Sequence, residues 1–294
     1  MEKNLTHGSV FKNIVFFSLP YLLSYFLQTL YGMADLFIIG QFASVADTTA
    51  VSVGSQIMHM LTVMIVGLAM GTTVSIANAV GAGDRKRAAQ SIGNTVTLFM
   101  SLSVVLMGLL LLSVRPITAV MATPPQAVAS TVSYLTVCFL GIPFITAYNI
   151  LASVFRGMGD SKSPMYFIAV ACVCNIGLDF LFIGALGLGP VGAALGTTLS
   201  QTVSVALSLC VIVKKRSIGL SKSDFKPKKA VMRRLLSIGL PVAAQDGLIQ
   251  IAFIVITVIA NSRGLNTAAA VGIVEKIIGF VFLVPSSLLS TVSA

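Results

Sequence analysis

Four acidic residues, Asp35, Asp179, Asp246 and Glu275, fall inside long apolar runs, whereas Glu2, Asp47, Asp84, Asp160 and Asp224 fall in polar stretches. An ionisable side chain facing lipid is costly, so acids at such depth mark ion or proton pathways by default. Asp35 stands four residues before the end of the first run at Ile39, and Asp179 five before the end of the fifth at Gly184. They therefore sit at similar depth. Asn175 precedes Asp179 by one helical turn and shares its face. Thr197 and Thr198, on a run of opposite direction, reach the same level. Two carboxylates, an amide and hydroxyls offer oxygen ligands to a small cation such as sodium, with Asp35 and Asp179 as the charged pair. Alternatively one carboxyl keeps a proton near neutral pH, because burial and a like-charged neighbour both disfavour a second negative charge. The chemistry allows either ion. Taken alone, the threonines read as interhelical glue. Asp246 is expected near the inner end of the seventh run, within reach of headgroups. Glu275 adjoins Lys276, but adjacent helical residues do not face each other. His59, in a Met-rich stretch, reads as a packed polar group.

No catalytic constellation accompanies these acids: the chain has neither a His-Glu-x-x-His nor a Gly-x-Ser-x-Gly pattern. With only two histidines there is little acid-base machinery for neutral pH. An intramembrane aspartyl dyad is the remaining enzymatic reading. The internal duplication described below favours a transporter over it. Cys138, Cys172, Cys174 and Cys210 all lie in apolar runs and read as small hydrophobes. The expectation is a non-enzyme with no cofactor beyond its coupling ion.

The elements that position the acids follow from composition. Of 294 residues 56% are hydrophobic and 10% charged, and mean hydropathy is +0.97, so the surrounding solvent must be lipid. Apolar segments fall at about Ile14–Ile39, Ala50–Val80, Ala88–Ser113, Ala127–Phe155, Met165–Gly184, Val191–Val213, Leu235–Ala260 and Thr267 onward. Each is long enough to cross about 30 Å of hydrocarbon as a helix. The expected fold class is thus all-α, a polytopic transmembrane helical bundle of eight helices. Pro143 and Pro20 are candidate kink sites. No small-residue cleavage site ends the first run, so it is expected to stay.

Charge placement supports this count. With the N-terminus cytoplasmic, sixteen of the nineteen Lys and Arg fall in inner segments, around Lys12, Arg85, Arg156 and from Lys214 to Arg234. Arg115 and Arg263 fall in outer loops and Lys276 within the last run. Basics scattered over short loops do not make a nucleic-acid face.

The sequence also repeats. Phe17-Ser18-Leu19-Pro20 returns as Ile238-Gly239-Leu240-Pro241, Ala50-Val51 as Ala270-Val271, and Thr73-Val74-Ser75 as Thr291-Val292-Ser293. A six-helix lobe over 1–213, a basic linker over 214–234 and the start of a repeated lobe over 235–294 are expected, the chain stopping part-way through that second copy. A smaller echo, Gly81-Ala82-Gly83-Asp84 and Gly157-Met158-Gly159-Asp160, reads as two tight turns, glycine ending one helix and Asp capping the next.

Leu19-Pro20, Asp35 with Ile39-Gly40, Gly67-Leu68-Ala69-Met70-Gly71 leading into Gly81-Ala82-Gly83-Asp84, Arg156-Gly157-Met158-Gly159-Asp160 before Pro164, and Gly192-Ala193-Ala194-Leu195-Gly196-Thr197 follow one another in an order that resembles multidrug and toxic compound extrusion transporters. The resemblance covers essentially the whole chain. It implies two six-helix lobes that rock between outward-open and inward-open states in the inner (plasma) membrane. It further implies export of cationic or amphipathic drugs or toxic metabolites against entry of protons or sodium. The expected assembly is a monomer in the bilayer. By the same resemblance Asp35, Asn175, Asp179 and Thr197 correspond to the family's cation site, with Asn149 a further polar member. The family's second coupling acid, a glutamate eight residues after the proline, is Ile249 here, which shifts weight to Asp35 and Asp179. Flippases of lipid-linked saccharides share the architecture and are the alternative. They should line their cavity with several Arg or Lys.

Overall fold

Backbone in hydrocarbon has no partner but itself, and in the computed structural model, which describes residues 9–215, 220–262 and 265–293, no strand forms among the described residues. The helices are α1 (Val10–Phe42), α2 (Val45–Gly81), α3 (Arg85–Leu112), α4 (Val114–Val120), α5 (Val128–Leu140), α6 (Ile142–Gly157), α7 (Lys162–Asp179), α8 (Gly189–Lys215), α9 (Lys229–Ser262) and α10 (Leu265–Ser293). Glu2, Lys3, His7, Arg216 and Arg263 lie outside the described residues, as do the side chains of Glu275 and Lys276.

Among the described residues α1, α2, α3, α7 with its extension to Ala185, α8 and α9 are each long and apolar enough to cross a membrane. The fourth expected helix is broken. It consists of α5 and α6, bent by 47° about Gly141, two residues before Pro143. Proline deprives the preceding turn of a hydrogen-bond donor. Gly141 lets the pieces meet α8 closely, since a Cβ there would lie 2.7 Å from Thr198 Oγ1. Pro20, in contrast, lies within an unbroken α1. The fifth expected helix is regular only to Asp179, after which Phe180–Ala185 widens into a π-helical turn with Leu186 N–H donating to the Leu181 carbonyl at 2.9 Å. The short α4 was not expected from hydropathy.

Large apolar side chains such as Phe37, Leu109, Val173, Leu240 and Phe282 remain exposed, as a surface solvated by acyl chains allows. The core lies between helices. One apolar cluster joins Ile38, Ile57, Leu135, Phe139, Ile183 and Ala193, and a second joins Tyr148, Phe155, Phe167 and Ile168.

The basic turns after α2 and α6 and the described part of the linker lie together, Gly157 of α6 against Ile76 of α2 and Gly93 of α3 against Asp224, at an end of the bundle called here the basic end. Two glycine turns close helix pairs there: Gly83 and Gly159 take φ of 72° and 83°, a region open to residues without a Cβ. The Asp84 carboxylate accepts from Arg87 N–H at 2.9 Å, and Asp160 accepts from Ser163 N–H at 3.0 Å, completing caps of α3 and α7. The basic linker is docked rather than free. Its turn Lys222–Phe225 lies on α3, where buried Asn94 donates to the Asp224 carbonyl at 3.1 Å and accepts from Lys228 N–H at 2.6 Å.

Beyond the linker, α9 packs along α2 and α10 along α1. The α2–α9 contact is built on small residues that let backbones approach. A Cβ on Gly71 would run into the Leu235 carbonyl and one on Gly239 into the Leu68 carbonyl. Across α1 and α10, Tyr25 and Ser290 hydroxyls lie 3.0 Å apart. Arg156, expected in a loop, is instead in the last turn of α6, 8% exposed, its guanidinium 4.4 Å from the Tyr21 ring centre. Stacking on an aromatic face allows a guanidinium to be buried without a carboxylate.

A candidate cation site between α1, α7 and α8

Asp35 precedes the end of α1 by seven residues, Asp179 precedes the end of the π-helical turn by six, and Thr197 follows the start of α8 by eight. At 1.5 Å per residue each lies roughly 10 Å below its helix end. The equal depth brings them together. Thr197 Oγ1 donates to Asp35 Oδ2 at 3.2 Å. Asp179 and Asn175 also lie beside the Asp35 carboxyl. Asp35 is 5% exposed, Asn175 1% and Asp179 0%, so none relies on bulk water.

Most of this polar surface is unsatisfied. Asp35 Oδ1, both oxygens of Asp179 and both polar atoms of Asn175 make no hydrogen bond among the described residues, nor do Thr198 Oγ1 and Gln201 Oε1. Buried polar groups in proteins are normally paired. Two adjacent buried carboxyl groups with no basic side chain among the described residues beside them both stay ionised only if a cation lies between them; otherwise one of them keeps a proton. Oxygen donors of this kind, with two acids, suit a proton or a hard monovalent cation.

Three features around the site were not read from the sequence. Gly196 gives Asp179 its room, because a Cβ there would run into Asp179 Oδ1. Gln201, 5% exposed, follows Thr197 by one turn, and Tyr31 precedes Asp35 by one turn and lies beside Gln201. That matched i,i+4 spacing on α8 and α1 was the available signal. The π-helical turn begins directly after Asp179, and such turns often sit at functional sites. Gly196→Ala should therefore turn the Asp179 carboxylate out of the group and lower transport by the full-length protein about tenfold. Its melting temperature should stay close to wild type. Unchanged transport by correctly inserted Gly196→Ala would show that the close approach of α7 and α8 is not needed.

Asn149 is not bonded into this group. Its amide donates to Ile145 of its own helix at 2.8 Å, and the residue is 8% exposed. Asp246 differs from expectation in depth. It is not near the helix end but midway along α9, which runs from Lys229 to Ser262, and it is central in the apolar run from Leu235 to Ala260 as well. Ile249, one turn on, is exposed.

The chain is 30% identical over 274 residues to "Probable multidrug resistance protein YpnP" of Bacillus subtilis, an alignment covering 93% of this chain and 61% of that protein. It is 31% identical over 239 residues to "Probable multidrug resistance protein NorM" of Thermotoga maritima, covering 80% and 51%. The chain thus spans less than two thirds of the length of either relative. A MOP superfamily transporter of Pyrococcus furiosus, described as having a binding pocket of reverse polarity, superposes with a TM-score of 0.90 at 26% identity, covering 98% of this chain and 64% of that one. A structure described as an outward-facing MATE family multidrug resistance transporter gives 0.88 at 25% identity, covering 97% and 63%. The MatE family model matches residues 20–181, which take in Asp35, Asn149, Asn175 and Asp179. By that match, over more than half of its length, the chain belongs to the MatE family.

Proposed function

We propose that the full-length protein exports cationic or amphipathic small molecules by antiport against protons or sodium, and that Asp35, Asp179, Asn175 and Thr197 hold the coupling ion. The observation that carries this reading is the set of buried, unpaired oxygens on Asp35, Asp179 and Asn175. A group that only fastened helices together would satisfy its hydrogen bonds, whereas one that takes up and releases an ion leaves them free for it. The basic end is proposed to face the cytoplasm of a cell whose inner membrane holds the protein. Residues 1–213 and 235 onward are proposed as parts of two lobes that rock about the docked linker.

Saccharide flipping fits less well. Among the described residues Arg156 is the one buried basic side chain, and it is stacked on Tyr21. The test is ethidium transport by the full-length protein in proteoliposomes under an imposed proton gradient and, separately, a sodium gradient. Transport driven by at least one gradient, and none when both are collapsed, is expected. Equal rates with and without gradients would overturn antiport.

A further inference from the structure

The linker between the two repeats is held, along its described length, by helices of the first repeat. Leu220 packs into the apolar cluster of Ile76, Ile92, Phe99, Ile150 and Val154, from α2, α3 and α6. The turn that follows is locked on itself, since Ser221 N–H donates to the Asp224 carboxylate at 2.9 Å. Gly93 of α3 lets this turn lie close, because a Cβ there would run into the Asp224 carbonyl. Thr97, one turn further along α3, donates to the Phe225 carbonyl at 2.8 Å.

Asn94 makes the last of these contacts and is fully buried. Its amide donates to the Gln90 carbonyl of its own helix at 3.0 Å and to the Asp224 carbonyl at 3.1 Å, while its oxygen accepts from Lys228 N–H at 2.6 Å. Lifting the linker off α3 would strand this amide together with two backbone groups of the linker, a costly loss for buried polar atoms. Helix α9 starts at the next residue, Lys229. No free chain therefore separates the clamp from the first turn of the second repeat.

The other contacts between the repeats differ in kind. At the α2–α9 seam Gly71 and Gly239 meet backbone carbonyls, and such contacts part without stranding a side-chain amide. Tyr25 and Ser290 join α1 to α10 through one pair of hydroxyls. Among the described residues neither α1 nor α10 touches α3, so that pair stands away from the clamp.

We propose that Asn94 is a positioning residue for transport: it keeps the linker on α3 throughout the cycle, so that the first turn of α9 is the pivot and the basic end opens where α10 leaves α1. The pivot presupposes the rocking of two lobes proposed above and fixes where they hinge. A hinge needs only a few residues at the end of an element to absorb the rotation, and Lys228 and Lys229 occupy that place.

The experiment uses the full-length protein with Thr97→Cys and Phe225→Cys, joined by a short bismaleimide after purification and reconstituted in proteoliposomes. Gradient-driven ethidium transport should keep at least half the rate of protein lacking the two cysteines and given the same reagent. Asn94→Ala with the linker untied should transport about fivefold more slowly than wild type, and joining the two cysteines in that variant should restore most of the lost rate. A residue needed only for folding gives no such recovery. Loss of more than half the rate on joining the cysteines with Asn94 present would show that the linker must leave α3. A wild-type rate in untied Asn94→Ala, or no recovery on tying it, would show that the clamp does not guide the motion. Each of these overturns the pivot and leaves antiport standing, whereas absence of gradient-driven transport by wild type overturns antiport and the pivot with it.

Discussion

Replacing Asp35 by Asn in the full-length protein should reduce ion-coupled efflux to the level of cells lacking the transporter, with insertion and expression unchanged. Asparagine keeps the volume of aspartate and its capacity to accept from Thr197 Oγ1. It cannot release a proton or lend negative charge to a cation. If Asp35 only tied α1 to α8, the substitution would be nearly silent. Interhelical hydrogen bonds in membranes average about 0.6 kcal/mol, less than a threefold effect on a rate. The two readings therefore differ by far more than assay error. Ethidium efflux from cells making equal amounts of each protein separates them, and activity above half of wild type would remove Asp35 from the coupling mechanism.

Gly239→Val should have the next largest effect, by a different route. A Cβ at Gly239 meets the Leu68 carbonyl, and one at Gly71 meets the Leu235 carbonyl. Backbone cannot yield as a side-chain tip can. Overpacking of this kind costs about 1–3 kcal/mol, and all of it falls on the state in which α2 and α9 are packed together. A bias of that size shifts a two-state equilibrium about 5- to 150-fold. Tyr25 and Ser290 report on the same closure, since their hydroxyls meet between α1 and α10. Cysteines at those two positions should be joined efficiently by a short bismaleimide, and several-fold less when Gly239→Val or Gly71→Val is added. Unchanged cross-linking would show that these glycines do not set the closed state of the basic end.

What was legible in the sequence divides along physical lines. Helices long enough to span were readable because hydrocarbon thickness imposes a length and a composition at once. The Asp35, Asp179 and Thr197 level was readable because helix rise is constant, so offsets from segment ends convert to depth. Each of those offsets was too short by one to three residues, but the errors were similar and cancelled. For Asp246 the expectation of the inner end does not follow from the run itself. Asp246 lies eleven residues past Leu235 and fourteen before Ala260, so the apolar run already placed it near the middle, as does the longer helix from Lys229 to Ser262. Hydropathy finds the membrane boundary and not the helix boundary.

Other features depend on side-chain contacts that periodicity does not encode. Gly196 looked like one of several small residues on α8, and only the position of Asp179 Oδ1 against it explains why a Cβ is excluded. The widened turn after Asp179 has no sequence signature comparable to a proline or a cap. Arg156 was assigned to a loop because basics usually end helices at the surface. Tyr21, on another helix and more than a hundred residues away in sequence, is what allows it to be buried.

The central claim is that Asp35 and Asp179 hold the ion exchanged for the exported compound. It is tested most directly by adding tetraphenylphosphonium to purified full-length protein in weakly buffered solution, following pH and bound radioactive sodium together. Wild type should release protons or sodium in proportion to the cation bound. The Asp35→Asn, Asp179→Asn double variant should release neither. Release of the same ion in the same amount by the double variant would contradict the account.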